Sequence, residues 1–339
     1  MNFQGKHFNM TYLYTMIVEC ICCMGMITNP TLLFVVIRCP LNVPLIVKLY
    51  FGLISVQNFI MVTCYLFLAP RMLVHNGSFV FLTTGRGSEW SVAPTLILVY
   101  NATLISTLVY STNSFIYRFI QLCRPHLFFI YTSFKCLAVY TVINVALITN
   151  WVLMVYFTGW PKPPFTAHVK QLLMTDYDFN LGNRAFVGFS LDMLPKDEFV
   201  MLMEALSLPL VLVCIAFSCA LRVYFYLKSN ALSSQTKRMQ KTLFVVLLIQ
   251  TACPVILLHL PLFTIYLLLF TGCNTPWPLN FCNGILMSAY PFFSPIIIML
   301  YMKDYRRFIF RMGGYDRRRP SGTTMFITTA GRPFASLKF

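Results

Sequence analysis

Thr95-Leu-Ile-Leu-Val-Tyr-Asn-Ala-Thr-Leu-Ile-Ser-Thr-Leu-Val-Tyr-Ser-Thr-Asn-Ser-Phe-Ile116 contains no charged residue, and the run that follows it, Tyr117-Arg-Phe-Ile-Gln-Leu-Cys-Arg-Pro125, is polar and basic. About 20 apolar residues at about 1.5 Å each cross a hydrocarbon layer of about 30 Å, where a helix satisfies its own backbone hydrogen bonds. The stretch therefore reads as a membrane helix that surfaces at Arg118 and Arg124. It also holds Asn101, Ser106, Thr107, Ser111, Thr112, Asn113 and Ser114, more polarity than lipid contact tolerates, so other helices should surround it.

Composition extends this reading to the whole chain. Hydrophobic residues make up 58% and charged ones 11% of 339 positions, against about 25% charged in soluble domains. That is a polytopic membrane protein. The net charge of +16 belongs on cytoplasmic loops facing anionic lipid. No basic patch is attached to a soluble domain, so nucleic acid is not the partner. Residues 1–10 lack a basic n-region and a cleavage site, so the first apolar run reads as a retained signal-anchor helix.

Working outward, helix 1 is expected at about Thr11–Ile37, helix 2 at Pro44–Leu68, helix 3 at the quoted stretch and helix 4 at Lys135–Phe157. Helix 5 follows at Phe199–Leu227, helix 6 at Leu243–Phe270 and helix 7 at Leu279–Met302. The fold class is thus an all-α membrane protein, a seven-transmembrane bundle, with a polar loop after helix 2 and the longest loop, about Thr158–Glu198, after helix 4. No internal repeat and no separate soluble domain is present. The domain reading is an extracellular N-terminus 1–10, a bundle 11–302, an amphipathic cytoplasmic helix 303–314 and a disordered basic tail 315–339.

Seven spans place the termini on opposite sides. With the N-terminus outside, nineteen Lys and Arg face the cytosol and seven face out, which obeys the positive-inside rule. The sequons at Asn9 and Asn76 then lie outside, as glycan acceptors should, although Asn101-Ala-Thr103 is a sequon within a membrane helix.

Catalysis finds little support: there is no His-Glu-x-x-His, no phosphate-cradling Gly-rich loop and no paired intramembrane carboxylates. No cofactor or metal is indicated, and no two related halves with broken helices suggest a transporter. Glu19 is the one acid well inside a helix, either functional or neutral and hydrogen-bonded. His259 on helix 6 is a core histidine or a ligand contact, and Pro254 before it can kink the helix into a hinge.

The twelve Cys fall mostly in helices and pack as small apolar residues. Cys273 and Cys282 share the outside loop before helix 7 and can bridge, with a geometry that sequence does not set. No cysteine is available to tie the outer end of helix 3 to the long loop, and none follows Cys282 to anchor the tail. Tyr305, Phe308, Ile309 and Met312 form one stripe of a short interfacial helix with Arg306, Arg307 and Arg311 off it. The third inner loop, 228–241, holds no acid; Ser233 or Ser234 can cap an inward extension of helix 6 that puts Lys237, Arg238 and Lys241 on one face, toward lipid or a protein partner.

Ser114-Phe-Ile-Tyr-Arg-Phe, with Arg124-Pro125 beyond it, resembles the end of helix 3 in the nematode seven-transmembrane serpentine chemoreceptors of the Str type. Met239-Gln-Lys-Thr-Leu-Phe through Leu248-Ile-Gln-Thr-Ala-Cys-Pro254 resembles their helix 6. Ser288-Ala-Tyr-Pro-Phe-Phe-Ser-Pro295 through Met302-Lys-Asp-Tyr-Arg306 resembles their helix 7 and tail junction. The resemblance implies an olfactory G-protein-coupled receptor for odorants or other small chemical cues, in the plasma membrane of a sensory-neuron cilium. A heterotrimeric G protein is the implied partner, membrane lipid surrounds the bundle, and a receptor dimer stays open.

By position, the resemblance puts Tyr117 and Arg118 at the G-protein interface with Lys237, Arg238 and Lys241 beside them. It puts the helix 6 switch at Gln250 and Pro254 and the helix 7 switch between Pro295 and Tyr301. Two departures matter: Ser294 stands where an Asp is expected, and helix 3 lacks the Asp-Arg-Tyr of rhodopsin-like receptors, so a buried-acid switch and an ionic lock do not transfer. Depth and polarity nominate Glu19, Asn101, His259, Tyr266 and Asn283 for a ligand pocket in the outer half. A ligand there would favour helix 6 swung outward. The rivals are a seven-helix ligand-gated channel with an inside N-terminus, which the charge count disfavours, and a non-signalling escort protein.

Overall fold

The computed structural model describes residues 3–39, 45–177, 179–229 and 234–312. The basic tail 315–339 and Ser233 lie outside the described residues. Seven helices among them are long and apolar enough to cross a membrane: helix 1 (Phe3–Arg38), helix 2 (Leu45–Leu68), helix 3 (Ala93–Cys123) and helix 4 (Phe134–Gly159). Helix 5 is Lys196–Ser229; helix 6 runs Ser234–Pro254, passes through a π-helical turn Val255–His259 and continues as Leu260–Thr271; helix 7 is Trp277–Tyr301. A short helix, Lys303–Met312, follows. The chain is a multi-pass seven-helix bundle.

Local chemistry sets the ends. Helix 3 opens with Pro94 in its first turn, where a missing N–H is harmless, and stops at Arg124, ahead of Pro125. Helix 5 has Asp197 and Glu198 in its first turn and Lys228 in its last, each complementing the helix dipole. Helix 6 ends at Gly272 with φ of 71°, a left-handed cap whose N–H returns to the carbonyls of Leu268 and Leu269.

Helix 3 is surrounded, with 56% of its most apolar window buried, whereas helix 4 has 6%. Ser106, Thr107, Ser111 and Thr112 are all buried, so the polarity of helix 3 does face other helices. Helix 4 buries only Trp151, Met154, Thr158 and Gly159, at one end. From Phe134 to Asn150 it buries no side chain, and it touches the bundle there through Asn144, which meets Asn113 of helix 3, and Ile148, which packs on the core.

The two longest loops hold structure that hydropathy did not suggest. β1 (Pro70–His75) and β2 (Ser78–Thr83) form an antiparallel hairpin, and β3 (Phe186–Ser190), from the loop between helices 4 and 5, pairs with β2. Met72, Val74, Phe79, Phe81, Val187 and Phe189 pack into the bundle core. The alternate residues Leu73, Val80, Leu82 and Phe186 pack against Phe165, Val169, Leu172 and Leu173 of a cap helix, Pro163–Tyr177. The sheet is sandwiched, so both its faces are apolar. His75 pairs with Asp176 at 3.1 Å and Ser78 meets His168 at 3.3 Å, clasping cap helix to hairpin.

At the opposite end, which we call the tail end, Tyr305 of the short helix is buried with Leu32, Val36, Phe51, Ile298 and Met302, and Phe308 and Ile309 pack beside it. Met312 is exposed, so the stripe ends one turn early. Between the two ends, Pro295 cannot donate to the carbonyl of Pro291, and the buried Asn29 of helix 1 donates to that oxygen at 2.8 Å.

Candidate functional site

Beneath the sheet lies a cavity of about 60 Å³. Phe79, Phe81 and Phe189 roof it, Tyr100, Asn101 and Leu104 come from helix 3, Trp151 from helix 4, and Leu262 and Tyr266 from helix 6. Aromatic contacts stiffen the roof: Phe81 stacks on Tyr100 with centroids 5.5 Å apart, and Phe79 lies 6.2 Å from Tyr266. Tyr100 is held from behind by the ring of Tyr65 at 5.2 Å. Asn101 donates to the Ile97 carbonyl at 2.9 Å, which leaves its amide oxygen as an acceptor for a guest. The cavity is an apolar space with an amide and a phenol on its walls.

Of the nominated pocket residues, Asn101 and Tyr266 line this space and three others do not. Glu19 points to the loop after β2 and pairs with Arg86 at 3.0 Å, its side chain 15% exposed against 79% for the arginine. It is a clasp between helix 1 and that loop. His259 lies in the π turn with Nε2 buried and no partner among the described residues. Asn283 is buried on helix 7, its Nδ2 also without a partner among the described residues.

A buried cation at this end escaped the sequence reading. Arg71 on β1 is 3% exposed, lies 4.4 Å from the Phe281 ring and donates to Thr11 Oγ1 at 3.3 Å. Asn280, in the amide orientation that satisfies both its atoms, accepts from Arg71 at 3.0 Å. Burial brings the guanidinium down to about 10, still charged at neutral pH. Tyr14 donates to the neighbouring Pro70 carbonyl at 2.5 Å, so helices 1 and 7 and the hairpin meet here.

Mid-bundle, Gln57 of helix 2 donates to the Thr103 carbonyl at 2.9 Å and to the Thr107 hydroxyl. Gln250 of helix 6 faces the same small cavity of about 20 Å³, with Pro254, Tyr290 and Ser294 around it. Gln57 Oε1 and Gln250 Nε2 are both buried without a partner among the described residues. An acceptor and a donor thus border a space with room for a water. Directly after Pro254 the helix widens into its π turn, a local loosening of the ladder at the expected switch. Tyr301, in contrast, ends helix 7 exposed, while Tyr290 takes the core position.

A larger space, about 480 Å³, lies at the tail end. Tyr117 and Arg118 border it with Tyr131, Tyr140, Asn113 and Asn144. Tyr117 meets Tyr131 edge-on at 5.0 Å, and Tyr131 meets Tyr140 at 5.6 Å. Burial holds the Tyr131 phenol above its ordinary range, hence neutral. Arg118 donates to Gln121 at 2.9 Å and lies 5.8 Å from the Tyr117 ring. Lys241 is exposed at the same end; the side chains of Lys237 and Arg238, like that of Asn9, lie outside the described residues.

Residues 14–310 match the family model described as serpentine type 7TM GPCR chemoreceptor Str. The chain belongs to this Str family. Its relatives include the serpentine receptor class r-10 of Caenorhabditis briggsae, 27% identical over 263 residues that cover 72% of this chain and 74% of that one. The G-protein coupled receptor str-33 of Caenorhabditis elegans is 24% identical over 254 residues, 70% of this chain and 72% of that one. The Str family is one of receptors, which agrees with the absence of catalytic motifs in the sequence. In this Str chain Cys273 lies beyond the Gly272 cap and Cys282 within helix 7, both exposed. Asn76 is exposed at the hairpin tip.

Proposed function

We propose that the chain is a chemosensory receptor that takes a small, mostly apolar cue into the cavity beneath the sheet and signals to a heterotrimeric G protein at the tail end. The observation that carries the reading is the cavity walled by both helix 3 and helix 6, with Asn101 and Tyr266 as its polar contacts. Helix 6 runs from that wall through the π turn and Pro254 to Lys241. The sheet end faces outside, following the charge count.

A guest in contact with Tyr266 and Leu262 favours one setting of the outer half of helix 6, and the loosened turn lets the inner half swing outward. The shift is limited by the difference in the cue's affinity for the two settings. Tyr117, Arg118, Lys237, Arg238 and Lys241 form the G-protein interface in this scheme. Arg118→Ala and Lys241→Ala should each reach the surface of cells expressing a chemosensory G protein yet give no second-messenger response to an odorant panel. Normal responses from both variants would sink the interface assignment.

A further inference from the structure

We infer that the tail-end cavity is a second binding site, for a single-chain amphipath with an acid head, such as a fatty acid drawn from the cytoplasmic leaflet. Its volume of about 480 Å³ falls within the range of about 300–1,000 Å³ usual for small-molecule sites. Helix 4 buries no side chain between Phe134 and Asn150, so the crevice between it and helices 2 and 3 opens sideways to lipid. Leu49, Leu53, Leu137, Val145 and Ile148 give that crevice an apolar wall. Asn113 donates to Asn144 at 2.7 Å across it, so the charge of the cavity lies at Arg118.

Among the described residues no carboxylate lies within ion-pair distance of Arg118, whose contacts are the neutral Gln121 and the Tyr117 ring. Among the described Asp and Glu, only Asp304 falls at this end of the bundle. A guanidinium held in a low-dielectric crevice by neutral partners alone is a standing site for an anion. The Tyr117 hydroxyl, buried and without a partner among the described residues, is a second donor on the same wall. A free inorganic anion would satisfy Arg118 but leave the apolar crevice unfilled; an acid with one hydrocarbon chain fills both.

The test uses the full chain in phosphatidylcholine nanodiscs and a photoreactive oleate, and reads binding without signalling, so its outcome is separate from G-protein coupling. The label should map to residues 134–150 and be competed by oleate at least tenfold better than by oleyl alcohol. Lysophosphatidic acid, run beside oleate, tells a phosphate head from a carboxylate by which competes more tightly. Arg118→Gln should weaken labelling about tenfold. Val145→Trp, a bulky residue on an exposed position of the crevice wall, should abolish it with thermal unfolding unchanged, and decides the matter should Arg118→Gln fail to fold. Equal competition by acid and alcohol would overturn the site, as would labelling indifferent to Val145→Trp. Labelling unaffected by Arg118→Gln, with coupling lost, would assign that guanidinium to the G protein alone.

Discussion

Phe79, Phe81 and Phe189 close the sheet end over a cavity of about 60 Å³, whereas at the tail end helices 2, 3, 4 and 6 border a space of about 480 Å³. The difference traces to what each loop set contributes. At one end the hairpin and β3 supply two apolar faces that need partners on both sides, and the bundle and the cap helix provide them. At the other, the stripe of Tyr305, Phe308 and Ile309 folds back on the core, and Phe128 and Tyr131 pack against Tyr117. One end is closed and the other open, the asymmetry that the proposed scheme of sensing at one end and recruiting at the other calls for.

The largest effect is expected where the lid is tightest. A Cβ at Gly188 would collide with the Phe79 carbonyl of the neighbouring strand, so Gly188→Ala should cost about 3 kcal/mol or more and cut the surface-delivered fraction severalfold; undiminished delivery would break the picture of a rigid lid. Next comes the link between the two ends. Replacing Gln57 by Leu removes the donor to Thr103 and Thr107, worth about 1–1.5 kcal/mol, and basal second-messenger output should rise about five- to tenfold. Unchanged basal output would show that the polar layer holds the bundle together without holding it off.

Within the lid-end cavity, Asn101→Leu should move the half-maximal concentration of an active odorant about three- to tenfold, one hydrogen bond's worth. Equal potency would move the cue elsewhere. The smallest effect belongs to Glu19→Gln. Its partner Arg86 is 79% exposed, so the pair is worth well under about 1 kcal/mol, and thermal stability should fall by a degree or two at low salt and less at high salt.

The bundle was legible because a membrane helix announces itself by length and apolarity alone, as Thr95–Ile116 does. The sheet was not, because Met72-Leu-Val and Phe79-Val-Phe-Leu face apolar partners on both sides and so show no alternation. One signal was present: Asn76-Gly77, with φ of 46° and 68°, is a two-residue hairpin turn between strand-forming residues. At the site, hydropathy gives height in the membrane but not rotation about a helix axis. Asn101 and Tyr266 happen to face the cavity, while Glu19 at similar depth turns to Arg86. Arg118 was found by resemblance; its crevice was not, because nothing in Phe134–Asn150 tells that this part of helix 4 buries no side chain.

The hairpin sequon has a consequence for the order of events in making this protein. Asn76 is exposed, but Ser78, the hydroxyl that completes the acceptor, is 1% exposed, meets His168 of the cap helix and pairs in register with Ser190. The finished sheet hides the motif a glycosyltransferase must read. Ser190 emerges from the ribosome more than a hundred residues after Ser78, which at about 5–20 residues per second leaves an interval on the order of ten seconds. A glycan on Asn76 would therefore be a timestamp, written while the hairpin still waited for its third strand.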